Sequence, residues 1–180
     1  MKQAMRAEVR RRKKQFDREV LDAHSRTIVQ RLSESEAWQR ARCVLCYHPL
    51  ADEVDVREAL TLALAQGKLV LLPRVVGDDL ELLRYESDAS LCPGAYGILE
   101  PTGEVFPVVR YAEIDLVVVP GMAFDAQGHR LGRGKGYYDR LLPRLTNACR
   151  TGVCYGFQLF DEVPNEPHDC VMDAVVTNGD

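Results

Sequence analysis

Short apolar runs that end at proline or glycine alternate along this chain with segments of helical period, and this alternation constrains the fold more than any other feature. The run Leu116–Val119 would be apolar on both faces of a strand and stops at Pro120 and Gly121, as a central strand of a parallel sheet does. The alternation predicts an open, mostly parallel, Rossmann-like α/β sheet flanked by helices. Ligands of such sheets bind beyond the carboxyl ends of the strands, so we expect the site there.

The predicted elements follow from apolar period, proline and glycine. Strands are expected at residues 43–47, 69–72, 80–85, 116–119, 152–155 and 173–177. Helices are expected at residues 2–32, as one helix or two, at 55–65 with Asp55 as the cap, and at 136–145, where Pro143 must disturb or end the helix. Residues 93–107 are rich in proline and glycine and have no helical period, which predicts an irregular surface segment.

The length of 180 residues, with 46% hydrophobic and 28% charged residues, is typical of one globular domain, and we expect a single domain over residues 1–180. A chain of this size buries about 70% of its unfolded surface, which excludes persistent disorder. No uncharged apolar run approaches the ~20 residues that a membrane-spanning helix requires, so we expect no membrane protein.

Charge is unevenly distributed along the chain. Residues 1–18 carry a net charge of +6 and the whole chain carries −4, so residues 19–180 carry −10. A basic stripe attracts nucleic acid, anionic lipid or phosphate, whereas an acidic body repels polyanions. We therefore favour a small anion over RNA or DNA, for which an aromatic stacking platform is also missing. The Arg-rich start also faintly resembles an organelle transit peptide.

The six cysteines have no regular spacing and no export signal precedes them, so reduced thiols are expected. Cys43 and Cys46 form a C-x-x-C pair inside an apolar run that is typical of a buried strand. A zinc or redox motif would usually show a second close pair, or a proline or glycine between the cysteines. We interpret both as structural thiols.

The segment 124–140 has the parts of a phosphate-binding loop. It contains alternating glycines and cations: Arg130, Gly132, Arg133, Gly134, Lys135 and Gly136. Glycines allow left-handed backbone angles that bring amide groups close to an anion. Arginines can grip phosphate oxygens in forks, and a lysine acts as a mobile point charge. A following helix would add its amino-terminal dipole.

This loop is not a Walker A loop, because His129 stands where the first glycine should be and Gly136 replaces the hydroxyl residue that would touch magnesium. A nucleotide-bound metal would then need carboxylates. Asp139 lies one turn beyond the last glycine, and Asp173 beside the final strand is a second candidate. A glycine-rich basic turn, with Asp139 merely favourable near a helix start, is the alternative interpretation.

Three motifs resemble those of the 5-formyltetrahydrofolate cyclo-ligase family. They are Pro-Gly-Met-Ala-Phe-Asp at 120–125, Arg-Leu-Gly-Arg-Gly-Lys-Gly-Tyr-Tyr-Asp at 130–139, and Pro-x-Glu-Pro-His-Asp-x-x-x-Asp at 164–173. The resemblance spans the whole chain, since Lys2 and Arg6 match a basic pair on the family's first helix and Asp52-Glu53 matches its acidic pair after the first strand.

The resemblance implies an enzyme that closes a ring in 5-formyltetrahydrofolate with ATP and Mg²⁺, through phosphorylation of the formyl oxygen, and releases methenyltetrahydrofolate, ADP and phosphate. Its partners would be the folate and ATP, without nucleic acid or membrane. We expect a monomer in the cytoplasm. A role for Lys2 in place argues against a cleaved presequence. Two rivals remain: a family member that binds without turnover, and a nucleic-acid-binding module led by the basic helix.

The resemblance also implies roles for individual residues. The ATP contacts would be Lys2, Arg6, Arg130, Gly132, Arg133, Gly134, Lys135, Gly136, Tyr137 and Tyr138, with Arg133 and Lys135 acting on the transferred phosphoryl group. The metal would fall to Asp139 and Asp173, and the folate to His48, Glu53, Phe124 and Tyr138. Lys2 and Arg6 are also one helical turn apart, so a solvated basic face is their alternative interpretation.

Overall fold

The computed structural model describes residues 1–179, and its strands and helices are as follows. The strands are β1 Cys43–Leu45, β2 Leu69–Val76, β3 Asp79–Arg84, β4 Leu91–Pro93, β5 Leu99–Pro101, β6 Leu116–Val119, β7 Ala123–Phe124, β8 Arg130–Leu131, β9 Cys149–Val153 and β10 Ala174–Val176. The helices are α1 Lys2–Lys13, α2 Arg18–Glu34, α3 Glu36–Arg40, α4 Arg57–Ala65 and α5 Tyr137–Leu141.

Six strands form the central sheet in the order β10-β9-β6-β1-β2-β3. All neighbouring strands are parallel except β2 and β3, which form an antiparallel hairpin. Successive side chains point to opposite faces of the sheet. Val44 and Val118 therefore join the apolar cluster that contains α2 and α4, while Leu45 and Val117 join the cluster that contains α5. The predicted α/β sheet is confirmed.

The helical stretch at the start is two helices. Asp17 adopts extended backbone angles, and its carboxylate accepts the amide N–H of Val20 at 2.9 Å, which caps α2. Asp55 is not the cap of α4, because Val56 holds that position; the Asp55 carboxylate accepts the N–H of Arg57 instead. Strand β2 continues through Pro73, since β1 pairs only with its first part and the rest has β3 as its sheet neighbour.

Two small hairpins were not expected from the sequence. Strands β4 and β5 pair within the segment predicted to be irregular, and β7 and β8 pair just before the glycine-rich loop. Helix α1 packs on the second hairpin through Val9, which contacts a cluster with Ala123 and Leu131. Helix α5 is short, and Pro143 lies in the 3-10 turn that follows it. Within residues 1–179, no helix is long and apolar enough to cross a membrane.

All six cysteines are free. Cys43 and Cys46 are buried around β1, and burial raises the pKa of both thiols to about 12. Both therefore stay protonated at neutral pH, as the structural interpretation expects.

Candidate active site

A cavity of about 630 Å³ opens at the carboxyl ends of the central strands. His48 lies beyond β1, Pro73 belongs to β2, and Pro120 and Gly121 follow β6 directly; all four line the cavity. This is the edge of the sheet at which ligands were expected. The strand end at Tyr155 is different, because Tyr155 is buried and does not line the cavity.

The structure gathers the predicted ATP residues around this cavity, although they come from both ends of the chain. The lining includes Lys2, Arg6, Arg130, Gly132, Arg133, Gly134, Lys135, Gly136, Tyr137 and Tyr138. His48, Glu53 and Asp139 line the same cavity, whereas Phe124 and Asp173 do not.

Phe124 must be corrected from a folate contact to a core residue. Its side chain is fully buried in the cluster beneath the sheet. The ring occupies the space beside two glycines: a Cβ atom on Gly121 would lie 2.7 Å from it, and a Cβ atom on Gly152 would lie 2.4 Å from it. The Phe124 ring packs against Gly121, which lines the cavity, but the ring itself is buried and not accessible to a ligand in the cavity.

Asp173 must also be corrected, because the structure does not bring it to Asp139. Its carboxylate accepts the N–H of Arg150 at 2.7 Å, and its own N–H donates to the Arg150 carbonyl oxygen at 2.8 Å. These bonds fasten the start of β10 to β9. Asp173 faces a second depression, which Asp125 and Asp161 also line. Asp169, four residues earlier, lines the same cavity as Asp139.

The glycine-rich loop takes backbone angles that a side chain disfavours. Gly134 has φ +107° and Gly136 has φ +71°, both in the left-handed region. Arg6 of α1 donates from Nε to the carbonyl oxygen of Gly132 at 2.9 Å. The basic helix is therefore fastened to this loop, and Arg6 is more than a solvated surface charge.

Arg130 is a buried cation with spare hydrogen-bonding capacity. Its side chain is 5% exposed, and its Nη1 donates to the Pro120 carbonyl oxygen at 2.9 Å. Its Nη2 lies 3.8 Å from Asp139 Oδ1. Burial lowers the pKa of Arg130 despite the nearby Asp139. Its Nε is buried and has no hydrogen-bond partner among residues 1–179, while the residue as a whole lines the cavity.

Arg133 crosses the cavity to the loop that follows β1. Its Nη2 donates to Asp52 Oδ1 at 2.6 Å, and its Nε and Nη2 both lie 3.3 Å from Glu53 Oε1. Burial raises the pKa of Glu53 above its usual value, although the Leu50 N–H and Arg133 favour the charged form. For Asp52, burial works in the same direction but Arg133 prevails, so its pKa is lowered.

Lys2 is bound by the loop 164–169, whose side chains the sequence alone did not assign to the site. Lys2 Nζ lies 3.1 Å from Asp169 Oδ2 and 3.4 Å from Glu166 Oε1. Burial works to lower the pKa of Lys2, but the hydrogen bond and charge of Asp169 prevail and raise it. The missed residues are Glu166, His168 and Asp169. Their signal was the Glu-Pro-His-Asp motif itself, which brings two acids and an imidazole into one turn.

The same loop contains possible metal ligands. Glu166, His168 and Asp169 each offer one ligand atom within 4.8 Å of the others. Asp139 lies next to them, since its Oδ1 accepts the N–H of Cys170 at 3.3 Å. Carboxylate oxygens are the protein ligands that Mg²⁺ prefers. Glu166 and Asp169 could therefore hold a magnesium ion with Asp139 beside them, whereas Asp173 lines a different depression.

Tyr96, also missed, lies on the opposite rim in the β4–β5 hairpin. Its ring centre is 5.4 Å from Lys135 Nζ, a distance typical of a cation–π contact. The Tyr137 hydroxyl donates to the Tyr96 hydroxyl at 3.4 Å. Tyr96 has φ +58° and is 60% exposed. A bulky residue in a left-handed conformation is uncommon. The β4–β5 hairpin holds Tyr96 in this conformation beside Lys135 of the glycine-rich loop.

Glu53, His48 and Tyr138 form the other wall of the cavity. Glu53 Oε2 accepts the Leu50 N–H at 2.9 Å, and the Tyr155 hydroxyl donates to the Glu53 carbonyl oxygen at 3.2 Å. Burial lowers the pKa of His48 and raises that of Tyr138. A mostly neutral wall with one fixed carboxylate suits a flat, polar-edged ring.

Comparison with known proteins agrees with this arrangement. A model of the 5-formyltetrahydrofolate cyclo-ligase family matches residues 1–178. A probable 5-formyltetrahydrofolate cyclo-ligase of Schizosaccharomyces pombe is 31% identical over 174 residues, covering 88% of this chain and 85% of that protein. The 5-formyltetrahydrofolate cyclo-ligase of Mus musculus is 27% identical over 187 residues, covering 97% of this chain and 92% of that protein.

Solved structures give the same result. The 5,10-methenyltetrahydrofolate synthetase of Aquifex aeolicus has a TM-score of 0.86 and 35% identity, covering 99% of this chain and 90% of that one. A synthetase of the same name from Mycoplasma pneumoniae, at 22% identity and a TM-score of 0.77, shows the same fold. With the motifs, the cavity and the whole-length match in agreement, the chain belongs to the 5-formyltetrahydrofolate cyclo-ligase family of enzymes.

Proposed function

We propose that the protein converts 5-formyltetrahydrofolate to 5,10-methenyltetrahydrofolate with ATP and Mg²⁺. The observation that carries the proposal is the cavity itself. A glycine loop with cations lies on one wall, the half-buried carboxylate of Glu53 lies on the other, and Arg133 spans the two. In this proposal, the triphosphate would bind on one wall and the polar-edged ring on the other, with the Arg133 guanidinium between them.

The proposed reaction has two steps. The formyl oxygen attacks the γ-phosphorus and ADP leaves. The neighbouring folate nitrogen then attacks the formyl carbon, loses its proton, and phosphate departs with the former formyl oxygen. Phosphoryl transfer asks mainly for positioning and charge stabilisation, so a protein nucleophile is unnecessary. Arg133 and Lys135 would stabilise the charge on the transferred group.

The nucleotide would lie against the glycine loop and α1. Arg130 contributes a positive charge to this side of the cavity, and Gly134 and Gly136 let the backbone approach the phosphates. Arg6 fastens the loop to α1. Lys2 would add charge, in exchange for part of its pairing with Asp169.

The folate would lie on the wall opposite. Glu53 can accept hydrogen bonds from the amino-pyrimidine edge of a pterin, with Tyr138 and His48 beside it. Asp139 and Asp169, with Glu166 near by, would hold the magnesium ion. When bound, that ion would neutralise charge on the phosphate oxygens.

The decisive experiment is a spectrophotometric assay of the purified protein with 5-formyltetrahydrofolate. Methenyltetrahydrofolate absorbance should appear only when both ATP and Mg²⁺ are present, and one ADP should form per product. Binding of both substrates without product would favour the rival, a family member that does not turn over. The proposal also includes a monomer that acts in the cytoplasm; size-exclusion chromatography with light scattering tests the first part.

A further inference from the structure

Arg133 is shared between the two walls before any substrate is bound. Its side chain starts in the glycine loop and contacts Glu53 and Asp52, which lie 80 and 81 positions earlier in the chain, respectively. The residue proposed to act on the phosphoryl group is thus held by two carboxylates, and one of them, Glu53, is proposed to bind the pterin. The two substrates would compete with the protein's own ion pairs for the same groups.

The two carboxylates hold Arg133 unequally. The contact with Asp52 is 2.6 Å long, the length of a strong charge-assisted hydrogen bond. The contact with Glu53 is longer: Nε and Nη2 of Arg133 both lie 3.3 Å from its Oε1. The other oxygen, Oε2, already accepts the Leu50 N–H. Asp52 therefore keeps Arg133 in place, and the weaker contacts with Glu53 depend on it.

We propose that Asp52 is a positioning residue that couples the two substrates. It holds Arg133 against Glu53 in the free protein, and folate that takes Glu53 frees that side of the guanidinium, which then turns about its contact with Asp52 toward the phosphates. The inference rests on the proposed function. Because such coupling is reciprocal, bound nucleotide would raise the affinity for folate by the same factor. Asp52 stays ionised for this purpose, since Arg133 holds its pKa below the usual range against the effect of burial.

The test is isothermal titration of a non-hydrolysable ATP analogue, with and without saturating 5-formyltetrahydrofolate. In the unchanged protein, the folate should tighten nucleotide binding by about fivefold. In Asp52→Asn, nucleotide should already bind more tightly without folate, and added folate should change its Kd by less than about twofold. The KM for ATP should then no longer fall as the folate concentration rises.

Asp55→Asn is the matched control. Asp55 is on the same loop and pairs with Arg57 at 2.5 Å, but it does not line the cavity. The substitution Asp55→Asn removes one negative charge, as Asp52→Asn does, and should retain the coupling between folate and nucleotide. The inference is overturned if Asp52→Asn weakens nucleotide binding, if it keeps the full coupling, or if Asp55→Asn loses coupling equally. Absence of nucleotide binding in every variant, the unchanged protein included, would defeat the proposed function as well, so the two failures are distinguishable.

Discussion

Lys135 is proposed to act in the reaction, and its contacts indicate that it contributes little to the fold. Its Nζ lies over the Tyr96 ring and, among residues 1–179, forms no ion pair. We expect Lys135→Ala to lower kcat by about 10²–10³-fold, the effect of losing one charge aimed at a transition state. Unfolding free energy should change by less than about 0.5 kcal/mol. Turnover is measured by product absorbance and stability by urea denaturation.

A charge-matched control for this variant is Lys14→Ala, which removes an exposed lysine at the carboxyl end of α1. That variant should keep its turnover. Unchanged kcat in Lys135→Ala would remove Lys135 from the phosphoryl site.

Two aspartates that the sequence had paired should behave differently. Asp139→Asn and Asp169→Asn should each raise the magnesium concentration for half-maximal activity by at least about tenfold. Asp173→Asn should leave it near the original value, because an amide oxygen can still accept the Arg150 N–H. Electron paramagnetic resonance of bound Mn²⁺ measures the metal affinity of each variant directly, without turnover, and should show the same difference between the variants. An effect at Asp173 as large as that at Asp139 would return the metal to the pair of aspartates expected from the sequence.

At the scale of elements, very short pieces build the site. The β7–β8 hairpin has two residues in each strand, and it carries Arg130 at its end. Such a hairpin is stable only when packed, and Phe124 supplies that packing beneath the sheet. The amino-terminal helix α1 covers its other side through Val9.

Gly152 in β9 is where this packing can be tested. A Cβ atom there would lie 2.4 Å from the Phe124 ring, so Gly152→Ala should destabilise the protein by about 1–3 kcal/mol. Urea denaturation measures the loss, and the double variant with Phe124→Leu should recover part of it. Gly67→Ala is the contrasting variant, because Gly67 has φ +73° but no atom within 4 Å. It adds backbone strain without a steric contact, whereas Gly152 has no left-handed φ and its variant adds only the contact with Phe124. Full stability of Gly152→Ala would show that Phe124 moves freely.

At the scale of the whole molecule, the cavity joins the first helix to the last loops. Lys2 reaches Asp169, Arg6 reaches Gly132, and Arg12 donates to the Phe157 carbonyl oxygen at 3.2 Å. A bound triphosphate should therefore slow hydrogen exchange in α1 and in residues 132–136 together, while β1 and β6 change little. AMP, which lacks the triphosphate tail, is the control and should protect both segments less. Protection of the loop without α1 would separate the helix from the site.

The sequence by itself determined the sheet and the glycine-rich loop, because local residue patterns define both. Apolar runs bounded by proline and glycine define the strands, and alternating glycines and cations define the loop whatever lies around it. Only the tertiary structure decided between residues that such patterns cannot separate. Asp169 and Asp173 are four residues apart, yet one faces the cavity and the other fastens β10 to β9. Phe124, likewise, is buried because Gly121, three residues before it, and Gly152, in the distant strand β9, leave room for its ring, and room of that kind exists only once the strands have packed.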